Sequence, residues 1–162
     1  MNVYNGYFLY DDLAHITTAQ ATALDGVTVE NCDVLLNITG ASVARCCIVP
    51  QNVLPARVNQ HVCILRCNSQ LMDPVFLNQL LISDSYQKML WDMAEAGGGT
   101  RQALTKQQVE ELSIITPSFS EQTAFSEFIQ QSDKSKLFAC YANTIYHIVI
   151  QKCLTKCFCS YS

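Results

Sequence analysis

Lysine and arginine are missing from the first 39 positions of this chain, which nevertheless hold five acids, Asp11, Asp12, Asp25, Glu30 and Asp33. Charge is scarce throughout. Asp, Glu, Lys and Arg make up 15% of residues, against about 25% in an average globular chain, so part of the surface is expected to be covered by something else. Glycine is equally sparse at six, and three of the six stand together in Gly97-Gly98-Gly99-Thr100-Arg101-Gln102. No Lys-Ser or Lys-Thr pair follows them, which excludes a P-loop, and their spacing fails the dinucleotide fingerprint. The longest apolar run, LFACYANTIYHIVI, is interrupted by Asn143 and His147 and is shorter than the ~20 residues that span a bilayer. No membrane partner is expected.

No charged and apolar leader opens the sequence, and the cysteine count of nine is odd. A secreted disulfide scaffold is therefore not expected; cytosolic thiols and a cytoplasmic protein are. Paired CxxC knuckles are absent as well. The C-terminal set His147, Cys153, Cys157 and Cys159 has irregular spacing for structural zinc, so free thiols, no metal and no cofactor are expected, with a small zinc-binding protein as an alternative.

What is present is one domain's worth of core: 162 residues, 18.1 kDa and 49% hydrophobic. The net charge of -4 conceals a pattern. Residues 40–106 carry six bases (Arg45, Arg57, Arg66, Lys88, Arg101, Lys106) and four acids; 107–133 carry five acids and no base; 134–162 carry four lysines and no acid. Any polyanion should meet the middle or the tail, because fields between exposed charges are local.

The period of the apolar residues sets the elements. VYNGYFLY suits a strand or hairpin, and DDLAHITTAQATALDG a short helix or turn. Val27–Val29, Val34–Ile38, Val43–Val49 and Val58–Leu65 are expected as strands of an antiparallel sheet or small barrel. Asp73 should cap a helix that begins at Pro74 and buries Phe76, Leu77, Leu80 and Leu81. A second helical face follows the break at Ser83–Ser85 through Tyr86, Met89, Leu90 and Met93, and the glycines end it. Thr105 with Gln108 and Ser118 with Glu121 are capping-box patterns. They predict a short helix from Lys106 and a long one from about Ser118 to about Ile150, with Ser113–Pro117 as a strand between them.

Few residues suggest chemistry. Asp73-Pro74-Val75-Phe76 resembles an amino-methyltransferase motif, but Val75 replaces a proline and no cofactor loop precedes it, so helix capping explains it better. His61, in Asn59-Gln60-His61, has no nucleophile or orienting acid in sequence around it, and reads as structural. No activity of its own is expected.

Taken in order, DVLLNITGASVARCCIVP, LPARVNQHVCILR, DPVFLNQLL, GGGTRQALTKQQVEELSIITPSFSEQ and FSEFIQQSDKSK resemble the target recognition domain of type I restriction-modification specificity subunits. The likeness covers about residues 30–136 and extends loosely to residue 1. It implies an α+β fold: a β-rich recognition domain over residues 1–117, the start of a spacer helix over 118–150 and a cysteine-rich tail over 151–162. It implies double-stranded DNA as ligand, a methyltransferase subunit bound through the spacer, and a restriction and translocase subunit joined through the complex. Gly99, Thr100 and Arg101 match the family's GxTR segment. Arg45, Arg57 and Asn59 match positions that either touch DNA or brace loops, and Lys88 and Lys106 are placed for phosphate.

Three departures from the family bear on function. The domain is expected to start partway in, which would leave a sheet edge short of a partner. The seam of Phe138, Tyr141, Ile145 and Ile148 should run about three turns and then fail. One recognition domain stands where a complete subunit has two, so a half-sized subunit paired as a homodimer through its C-terminal helix is expected, with an inactive recognition-domain cassette as the alternative.

Overall fold

The computed structural model describes residues 2–96 and 102–134. By internal packing the chain divides into two units, Met1–Leu112 and Ser113–Ser162. Among its described residues the first is α+β, with seven short strands and four α-helices. Strands β1 (Val3–Tyr4) and β2 (Tyr7–Phe8) form a hairpin around Asn5-Gly6, as expected. Only Gly6 of that pair lies at positive φ, +80°, so the turn is not of the doubly left-handed type that Asn-Gly most often signals.

Helix α1 (Thr18–Ala23) opens on a complete capping box between Thr17 and Gln20. Beyond it, β3 (Thr28–Val29) pairs antiparallel with β6 (Ala56–Arg57). The main sheet has three antiparallel strands in the order β5 (Cys46–Ile48), β4 (Val34–Asn37), β7 (Val62–Leu65). Every residue of β4 is buried, which is why its sequence reads VLLN with no polar alternation until its last position.

Period-2 geometry sends Leu35 with its cross-strand neighbour Cys47 to one face, where they pack with Val3, Val29 and Val49. Val34, Leu36 and Cys46 point to the opposite face, and helix α2 (Pro74–Leu81) packs across β4 and β5. Asp73 caps α2 through two bonds of 2.9 Å, to the amides of Val75 and Phe76. Ser83 likewise caps α3 (Asp84–Glu95), which buries Tyr86, Leu90 and Ala94. The short α4 (Lys106–Glu110) begins on the expected Thr105 and Gln108 box. The turn of the hairpin meets the edge of β5: Gly6 donates its N–H to the Cys46 carbonyl at 2.9 Å, and Asn5 Oδ1 accepts from the Cys46 amide at 3.3 Å.

Two expectations fail. Val58–Leu65 is not one strand. Asn59 Oδ1 accepts from the His61 amide at 3.0 Å and the Asn59 carbonyl accepts from Val62 at 3.1 Å; this Asx turn separates β6 from β7 and sends them to different sheets. Ser113–Pro117 forms no strand. Its β-branched residues favour extended backbone, but a strand exists only through its ladder, and no pairing falls on them. In the second unit α5 spans Phe119–Lys134, and Ser118 and Glu121 interact at its start, the Ser118 amide donating to Glu121 Oε2 at 3.0 Å. The expected continuation of this helix past residue 134, its seam and the cysteine-rich tail lie outside the described residues.

Burial controls the thiols of the first unit. It pushes Cys46 up to about 12 and Cys47 up to about 11, whereas Cys32 is exposed. Only the thiolate is nucleophilic, so a raised value removes reactivity at neutral and mildly alkaline pH. Peptide mapping after brief iodoacetamide treatment of the native chain at pH 8 should find Cys32 alkylated and Cys46 and Cys47 intact. Equal labelling of all three would contradict this packing.

Candidate nucleic-acid interface

The sheet continues beyond its named strands, and this continuation builds the site. Ile38 donates to the His61 carbonyl at 2.9 Å, Gly40 to the Gln102 carbonyl at 2.8 Å and Leu104 to the Ile38 carbonyl at 2.8 Å. Thr39 and Ala103 form an antiparallel bridge. Residues 38–40 are thus held by the turn that contains His61 and by the segment Gln102–Leu104. Between them lies a groove of about 470 Å³, bordered by the Thr39–Ser42 turn, Arg45, His61, Gln102 and Ala103.

Arg45 reaches this groove through a bulge. Ala44 donates to the Asn37 carbonyl and Arg45 accepts from the Asn37 amide, at 2.9 and 2.8 Å, so two residues of one strand oppose one of the other. Ala44 takes φ +69°, the left-handed geometry that such a bulge requires and that a side chain adopts only at a cost. The bulge turns the arginine, whose guanidinium lies 4.8 Å above the Tyr4 ring. Tyr4 in turn stacks on Tyr7, with centroids 5.1 Å apart and rings 17° from parallel.

The described arginines divide sharply by what their donors do. Arg57 is spent internally: Nε donates to the Ala21 carbonyl at 3.3 Å, one terminal nitrogen to the Ala56 carbonyl at 3.0 Å and the other to Asp25 at 3.4 Å. It ties α1 and the turn after it to β6. Arg66 grips the buried Asp33 with two bonds of 2.9 Å, and also reaches Glu30 at 2.6 Å and the Thr28 carbonyl at 3.1 Å. The bonds to Asp33 hold the Arg66 guanidinium above its usual pKa. Arg45 alone has a guanidinium with no hydrogen-bond acceptor among the described residues.

The remaining expected site residues scatter. Asn59 makes the turn that presents His61. Lys88 and Lys106 sit exposed on α3 and α4, in i,i+4 pairs with Asp92 at 2.8 Å and Glu110 at 3.4 Å. Such surface pairs are weak, and their ammonium groups stay accessible. Gly99, Thr100 and Arg101 lie outside the described residues, as do His147, Cys153, Cys157 and Cys159. Sequence reasoning passed over His61 and Gln102 as groove residues. His61 Nδ1 is 2.7 Å from the Thr39 hydroxyl, a contact across 22 positions that no local pattern encodes; Gln102 directly follows Arg101, and that adjacency was the signal available. Among the described residues no group of three His, Cys, Asp or Glu is arranged to hold a metal, and no helix is long and apolar enough to cross a membrane.

Arg45, whose guanidinium has no acceptor among the described residues, His61 and Gln102 thus border one open groove, and their side chains are of types that hydrogen-bond to nucleic acids. The family model described as the type I restriction modification DNA specificity domain matches residues 10–140. The chain belongs to that family, whose domains supply DNA sequence specificity and are in general non-catalytic. No curated protein matches the chain.

Arg66 and Asp33 are structural by this geometry and Arg45 is not. Asp33→Ala should cost about 2 kcal/mol, the order expected when buried hydrogen bonds lose a partner, and Arg45→Ala under about 1 kcal/mol. Urea unfolding of the two variants measures both; an Arg45→Ala loss as large as that of Asp33→Ala would mean that Arg45 serves the fold.

Proposed function

We propose that this chain is the DNA-reading part of a type I specificity subunit that recognises duplex DNA and directs adenine methylation and restriction by partner subunits, with no catalysis of its own. The observation that carries the reading is Arg45, which lines the groove and whose guanidinium has no hydrogen-bond acceptor among the described residues. An arginine in that condition suits the two acceptors on the major-groove edge of guanine. Arg101 and Thr100, which precede Gln102 in sequence, are added as DNA contacts by their match to the family's GxTR segment. Lys88 and Lys106 supply phosphate contacts, which fix register without reading sequence. Arg57 and Asn59 act on DNA through the loops they brace.

The methyltransferase subunit binds along the helix that begins with α5, and the restriction and translocase subunit joins through it. Two copies paired through that helix would present two recognition domains and read a bipartite inverted repeat. Incubating the full chain with a randomised duplex pool over a series of salt concentrations tests the core of this reading. A discrete motif should be enriched. Arg45→Ala should relax one position of it by roughly tenfold or more, while Lys88→Ala and Lys106→Ala weaken binding to all sequences and lower the salt slope by about one each. Salt-sensitive binding with no motif would instead identify an inactive recognition cassette.

A further inference from the structure

Gln102 combines a fixed backbone with a head group that no described residue engages. Its carbonyl accepts from Gly40, the next residue bridges to Thr39, and Leu104 is bonded to Ile38, so the Cα from which the side chain departs is held against the extended edge of the main sheet. The carboxamide has no hydrogen-bond partner among the described residues. Other glutamines of this unit show what an occupied carboxamide looks like. Gln87 donates to the Ala44 and Leu81 carbonyls, both at 2.8 Å, and Gln108 accepts from the Thr105 amide while donating to the Met93 carbonyl. Gln102 instead borders the groove that Arg45 also lines.

Resting on the reading of this groove as a DNA surface, we propose that Gln102 is a specificity-determining residue that selects adenine at the base pair next to the one Arg45 reads. A carboxamide offers a donor and an acceptor side by side, the complement of adenine N7 and N6 on the major-groove edge, whereas the all-donor guanidinium of Arg45 complements the two acceptors of guanine. The two residues come from segments 57 positions apart in sequence, 45 and 102, and border one groove because the bulge at Ala44 and the bridge at Ala103 bring both segments to the extended edge of the main sheet. Together they would read a guanine and an adenine as one block.

The experiment compares the motifs that the full chain and its Arg45→Ala, Gln102→Ala and Gln102→Glu variants select from a randomised duplex pool. Wild type should select an adenine beside the position that Arg45→Ala relaxes. Gln102→Ala should reduce discrimination at that adenine by roughly tenfold, and Gln102→Glu should shift the preference there to cytosine, whose N4 amino group a carboxylate can accept. Thermal melting should be unchanged in both glutamine variants, since the substituted group has no partner among the described residues. If Arg45→Ala relaxes a position while both Gln102 variants keep the wild-type motif, or weaken binding to every sequence equally, the assignment of Gln102 is wrong and the DNA reading stands. A wild-type chain that selects no motif overturns both.

Discussion

The backbone pairing of residues 34–40 is the constraint on which the rest of the structure depends. Through β4 this segment is hydrogen-bonded on one side to β5 and on the other to β7. Beyond Asn37 the same line is held by His61 and by the residues from Gln102 to Leu104. One continuous stretch therefore serves the core in its first half and the groove in its second. The transition occurs where VLLN gives way to ITGAS, as side chains that fill space are replaced by ones that leave room.

The paired carboxylate and guanidinium of Asp33 and Arg66 anchor the start of that stretch. Asp33 is buried and also accepts from the Glu30 amide at 2.7 Å, so it fixes the turn before β4 while Arg66 closes the end of β7 upon it. Breaking a buried pair by removing one partner leaves the other charge without compensation. Arg57 does comparable work for α1. Two of the six bases that make the middle of the sequence locally positive are thus consumed in holding acids and carbonyls from the base-free N-terminal region. The local excess of positive charge was therefore a poor guide to which bases face a ligand.

Legibility in the sequence followed the range of the interaction. Caps are written within four residues, and Asp73, Thr105 and the Asn5-Gly6 turn were readable because local chemistry decides them. The apolar faces of α2 and α3 were readable for the same reason, since period alone places Phe76, Leu80 and Leu90. Ser113–Pro117 misled because β-branched residues announce extended backbone but say nothing of a partner strand. The split between β6 and β7 turned on one side-chain acceptor, Asn59 Oδ1. At the site, Arg45 was named from its motif, but its difference from Arg57 was invisible in sequence: it lies in whether Ala21, Ala56 and Asp25 are there to accept.

The stack of Tyr7, Tyr4 and Arg45 has a consequence for the thermodynamics of recognition. A long side chain that is free in the unbound protein must surrender its rotamers when a ligand orders it, at about 0.5–1.5 kcal/mol for each such side chain. Placement of the guanidinium over the Tyr4 ring restrains Arg45 within the fold, so less of that entropy is left to lose on association. The hairpin over positions 3–8, six residues that carry no base, thereby helps to order an arginine 41 positions beyond Tyr4.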